Sequence, residues 1–117
     1  MQTINFMCAD EQSADLAEFA QRVFSALDVM DSIERTSSNY LDERYFVGSV
    51  GGGQLTVALS DESGFDDLPY WLSVEAETAS NIPAHLDALI KERLRAAGVR
   101  FAKIESFGKK DMRRVDY

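Results

Sequence analysis

The chain has 117 residues, with 12 Lys plus Arg against 20 Asp plus Glu and a formal net charge of -8. That length makes one domain, 1–117, and an apolar fraction of 45% excludes a chain that stays disordered. The negative charge argues against nucleic acid and anionic membrane surfaces as partners and favours a basic protein partner.

The charge is unevenly placed. Residues 1–90 hold 3 basic and 16 acidic residues, net -13, while residues 91–117 hold 9 basic and 4 acidic, net +5. Such asymmetry marks either an interaction tail or self-neutralisation within one fold. A single cysteine, Cys8, makes no internal disulfide, and the N-terminus lacks the basic and apolar runs of a secretory signal. No apolar run reaches the roughly 20 residues that span a bilayer. A cytoplasmic protein is expected.

In chain order, Thr3–Ala9 alternates Ile4, Phe6 and Cys8 against Asn5 and Met7, the period of a half-buried strand. From Ser13 to about Asp28, Leu16, Phe19, Ala20, Val23, Phe24 and Leu27 form a helical stripe; Ser13 or Asp10 serves as cap, with Asp15 and Glu18 near the positive end of the dipole. Ile33–Thr36 is at most a short or edge strand. Tyr45–Val50 and Gln54–Ser60 flank Gly51, Gly52 and Gly53 and predict a hairpin. An acidic loop, 61–67, precedes a strand over Tyr70–Ala76, with Trp71, Ser73 and Glu75 on one face. Pro83 opens a second helix with the stripe Ile82, Leu86, Leu89, Ile90 and Leu94, stopped at Gly98. Val99–Phe107 closes as a strand, and about 108–117 is a basic tail. The order β-α-β-β-β-α-β predicts an α+β two-layer sandwich: a mostly antiparallel sheet with both helices on one face.

Chemical candidates are few. One histidine, His85, and one cysteine do not make a zinc site or an oriented triad. The glycines of 48–53 lack the Lys-Ser/Thr and the following helix of a phosphate loop. The 61–67 loop does not match a calcium loop, and no cofactor or metal is expected. The chain is read as a non-enzyme, and Asp61, Glu62, Asp66 and Asp67, with Trp71 and Glu75, are the expected partner-binding residues. The alternative is a small-molecule-binding or regulatory domain with Arg35 or Arg44 converging on a cavity between helices and sheet.

In length, acidity and element order, with the runs Tyr45-Phe-Val-Gly-Ser-Val, Thr56-Val-Ala-Leu-Ser and Tyr70-Trp-Leu-Ser-Val, the chain resembles the small immunity proteins of bacterial polymorphic and contact-dependent toxin systems. The resemblance covers most of the chain and contains no diagnostic motif. It implies inhibition of a partner toxin, often a nuclease with a basic active site, by plugging or masking it. Such an inhibitor needs charge complementarity for fast association and a few desolvated anchors for slow release.

Overall fold

The computed structural model describes residues 2–38, 43–50, 53–60, 67–76, 82–105 and 112–117. In chain order these form β1 (Gln2–Ala9), α1 (Leu16–Ala26), β2 (Ile33–Thr36), β3 (Arg44–Val50), β4 (Gly53–Leu59), β5 (Tyr70–Ala76), α2 (Ile82–Ala96), β6 (Arg100–Glu105) and β7 (Arg113–Asp116). The strands make one antiparallel sheet in the order β2-β3-β4-β5-β1-β6-β7. Both helices pack on one face of it, the α+β sandwich expected from the element order.

One face of each central strand supplies the core. Ile4, Phe6 and Cys8 of β1, Leu55 and Val57 of β4, Tyr70, Leu72, Val74 and Ala76 of β5 and Phe101 of β6 meet Leu16, Phe19, Ala20, Val23 and Phe24 of α1 and Leu86, Ile90 and Leu94 of α2. Phe19 stacks on Tyr70 with ring centroids 4.2 Å apart. Gly48 lies inside β3, not in the turn, and permits the end of α1 to lie against the sheet. A Cβ there would stand 2.6 Å from Val29 Cγ1 and 3.1 Å from Phe24 Cε1.

The helix boundaries show where side chains compete for backbone groups. The cap of α1 is Asp15, neither Ser13 nor Asp10. Its carboxylate accepts from the Glu18 N–H at 3.0 Å, while Glu18 Oε2 accepts from the Ala14 N–H at 2.7 Å. Asp10 and Ser13 form a separate turn upstream. Both helices end in the same hydrogen-bond pattern. In α2 the Val99 N–H reaches Leu94 O and the Gly98 N–H reaches Arg95 O, with Gly98 at φ +78°. In α1 the Val29 N–H reaches Phe24 O and the Asp28 N–H reaches Ser25 O, and Asp28 takes φ +57° where glycine is the usual occupant.

Two expectations change. Strand β1 is not half-buried: Met7 is fully buried and Asn5 is 7% exposed, because β1 runs through the middle of the sheet and Leu68 packs over its second face. The C-terminal segment is not simply a tail, since 113–116 pairs with β6 and adds a seventh strand. Residues 106–111, including Lys109 and Lys110 of the expected basic tail, lie outside the described residues.

Candidate partner-binding surface

The sheet face away from the helices can be read row by row from the pairing registers. One row runs Arg35, Tyr45, Ala58, Trp71, Met7, Ala102, Asp116 from β2 to β7; the next runs Ile33, Val47, Thr56, Ser73, Asn5, Ile104, Arg114. Glu75 falls one row further, between Gln54 and Thr3. Trp71 and Glu75 therefore share this face but stand four residues apart on β5, about 13 Å at the usual rise of a strand.

Trp71 is half-buried and is not a free anchor. Its indole N–H donates to Asn5 Oδ1 at 3.0 Å, and its ring belongs to a small apolar cluster with Met7, Leu68, Ala102 and Ile104. The bond satisfies two polar groups that the surrounding apolar contacts shield from water. Glu75 is exposed.

Asp67 is held by the C-terminal quarter of the chain. Arg114 grips its carboxylate with two hydrogen bonds, 3.0 and 2.8 Å, and Arg100 donates to its main-chain oxygen at 2.7 Å. The Arg114 hydrogen bonds hold the Asp67 carboxyl below the usual carboxylate range. The same guanidinium also bonds Asp116 at 2.9 Å, and the two carboxylates raise its pKa further. This clamp seats Leu68, fully buried, against the open face. Asp61, Glu62 and Asp66 lie outside the described residues, so of the six expected residues Asp67, Trp71 and Glu75 can be placed.

Much of the +5 segment is neutralised in the same manner. Lys91 and Lys103 both pair with Asp87, at 3.0 and 3.1 Å, Arg93 with Asp28 at 3.5 Å and Arg113 with Glu105 at 2.9 Å. Within residues 1–90, Arg44 pairs with Glu34 and Arg22 with Asp10. Arg44 also lies over the Phe46 ring, whereas Arg35 lies on the other face of the sheet, so the two do not converge between helices and sheet. That layer is filled by Phe6, Phe19, Leu55, Leu72, Leu86 and Ile90, all fully buried.

An acidic corner that linear reading did not single out lies where β1 turns into α1. Asp10, 8% exposed, accepts from Ser13 Oγ at 2.6 Å, from Arg22 Nε at 2.5 Å and from the Gln12 N–H at 3.2 Å. Burial works to raise its pKa, but the Ser13 and Arg22 hydrogen bonds outweigh it and hold the carboxyl below its usual value. Arg22 continues to Ala97 O at 2.7 Å and so ties this turn to the end of α2. Around it stand Glu11, Asp15 and Glu18, all exposed and making no ion pair among the described residues. Their field reaches the core: the Tyr70 hydroxyl has its pKa raised by burial and then by Asp15, Asp10 and Glu18. Tyr70 pairs with Cys8 at this end of the sheet, where Asp67 also enters β5, so the corner and the base of the acidic loop are neighbours. A concavity of about 330 Å³ lined by Ala9, Asp10, Glu11, Gln12, Gly98 and Arg100 opens there. The signal in the sequence is the density of carboxylates around the start of α1, Asp10, Glu11, Asp15 and Glu18 within nine positions.

The remaining reactive groups are placed unfavourably for chemistry. Cys8 is fully buried, and burial, with Asp10 next, pushes its thiol well above the ordinary range. His85 is exposed on α2. No helix of the described residues is long and apolar enough to cross a membrane. Comparison with protein-family models, with curated proteins and with solved structures finds no match to the chain.

Proposed function

We propose that the chain is a non-catalytic binding protein that presents the acidic end of its sheet to a basic protein partner, in the manner of an immunity protein masking a toxin. One observation carries the reading. Five of the nine cations of the C-terminal quarter are held in intramolecular ion pairs, whereas Glu11, Asp15 and Glu18 make none among the described residues and stand at one corner near the start of β5. An excess of negative charge at this corner, held on a hydrogen-bonded turn and a capped helix, speeds encounter with a partner of the opposite sign.

The sequence between Ser60 and Asp67 carries three further carboxylates, Asp61, Glu62 and Asp66. Asp67 contributes position more than charge, because Arg114 already neutralises it.

The reading is tested by mixing the purified protein with the product of its neighbouring gene and following complex formation against salt. Glu11→Lys reverses an exposed charge that has no ion-pair partner among the described residues. It is expected to slow association about tenfold at low salt and to leave the thermal midpoint unchanged. An unchanged association rate removes the corner from the interface.

A further inference from the structure

The opposite side of the sheet carries a different surface. Among the described residues β2 pairs on one side only, with β3, and all four of its residues are exposed. Met30, 95% exposed, and Ile33, 49% exposed, place two large apolar side chains in solvent along this edge. Edge strands are commonly blunted by short length, charged side chains, proline or a bulge; β2 is short and carries Glu34 and Arg35, but it contains no proline or lysine and pairs with β3 in unbroken register.

The alternation of backbone groups along β2 follows from its pairing. The Ser37 N–H donates to Glu43 O at 3.0 Å, two residues beyond the Arg35–Tyr45 pair. In an antiparallel ladder, residues that bond inward alternate with residues that bond outward. Ile33 and Arg35 therefore direct their main-chain groups to β3, and Ser32, Glu34 and Thr36 direct theirs outward.

A two-fold axis that pairs this edge with itself must stand perpendicular to the sheet, so residues placed opposite each other share a face. Three registers then centre on β2 residues with charge or bulk. An axis at Glu34 puts two carboxylates opposite each other, and an axis at Arg35 puts two guanidinium groups opposite each other; both are disfavoured. An axis at Ile33 puts Ile33 against Ile33 in a non-hydrogen-bonded pair, the closer kind, and aligns the outward main chain of Ser32 with that of Glu34. It also sets Asp31 opposite Arg35 twice. Arg35 makes no ion pair among the described residues, and Asp31, two residues before β2 and exposed, has its carboxylate fixed by the Ser49 N–H of β3 at 2.9 Å. By contrast, the other outer strand, β7, has Arg113 and Arg114 already committed to Glu105, Asp67 and Asp116.

We propose that two copies of the chain join antiparallel through β2, with the axis at Ile33 and Asp31–Arg35 pairs on either side, continuing the sheet across both. This association does not depend on the acidic corner or on its partner.

Cross-linking tests the register directly. The non-hydrogen-bonded pair brings Cα atoms to about 4.5 Å, within disulfide range, and Cys8 is buried and does not compete. Under a mild oxidant Ile33→Cys is expected to form a covalent dimer at least tenfold faster than Glu34→Cys, whose two copies are offset along the strand. Equal rates, or no dimer from Ile33→Cys, overturn the proposal. Sedimentation of the unmodified chain up to about 1 mM, the weak end of the affinity scale, is expected to show twice 13.1 kDa. Arg35→Asp is expected to return it to the monomer with its circular dichroism and melting midpoint unchanged. A mass that stays monomeric, a dimer indifferent to Arg35→Asp, or a mass that grows beyond two copies by stacking through β7 each contradicts it.

Discussion

Asp10 shows how one carboxylate can organise a corner of the fold through its hydrogen bonds. It sits at the end of β1, fixes the following turn through Ser13 and Gln12, and through Arg22 reaches the last turn of α2. Replacing it with Ala strands a partly buried guanidinium and is expected to cost about 2 kcal/mol, measured by urea unfolding. Its pKa is depressed in the folded state, so its stabilisation is complete above the unfolded carboxylate value of about 4 and is lost as the pH falls through the folded value. The stability gap between the natural chain and Asp10→Asn should therefore narrow as the pH drops below about 4; a constant gap would remove the charge from the explanation. Asp28 belongs to the same scale. It occupies a left-handed position at the end of α1, so Asp28→Ala should lose about 1 kcal/mol while Asp28→Gly should not. Equal losses from both would assign its contribution to the Arg93 ion pair.

Among the elements, the open face of the sheet is covered from an unexpected direction. Leu68 lies two residues before β5, in a stretch the sequence marks as loop, yet it is fully buried over Met7, Ala102 and Ile104. The Asp67–Arg114 clamp and the β6–β7 ladder hold it there. Leu68→Ala is expected to cost about 3 kcal/mol and to raise exchange of the β7 amides, since the strap and the outer strand share this contact. Loss of stability with β7 protection intact would separate them. The strands and helices themselves were legible because their apolar periods are clean: Tyr70–Ala76 was read to the residue, and the α2 stripe through Leu86, Ile90 and Leu94 is buried as read. The shift from Asp10 or Ser13 to Asp15 as the cap is not legible, because three capping residues, Asp10, Ser13 and Asp15, compete within six positions and the Arg22 bond to Asp10 draws the first two into a separate turn. Strand β7 was missed because Arg113, Arg114 and Asp116 carry no apolar alternation; its pairing rests on main-chain bonds and ion pairs to distant residues.

At the scale of the molecule, the net charge of -8 divides differently in space than along the chain. Four cations of the basic quarter, Lys91, Arg93, Lys103 and Arg114, pair with Asp28, Asp67 and Asp87, so part of the sequence asymmetry is internal neutralisation. Glu11, Asp15 and Glu18 make no ion pair among the described residues, and the proposed binding surface rests on them. The candidate site was half legible: Asp67 and Trp71 do lie near one another's end of the open face, but each is engaged within the chain, and Glu75 stands further along the strand. A linear reading sees which residues are charged and cannot see which are already paired. The measurement that bears most directly on a charge-steered binding protein is the association rate with the neighbouring gene product across a salt series. The account predicts a tight complex whose association rate falls by at least tenfold between about 25 and 500 mM salt, and falls less steeply for Glu11→Lys. No complex, or an association rate indifferent to both salt and Glu11→Lys, would contradict it.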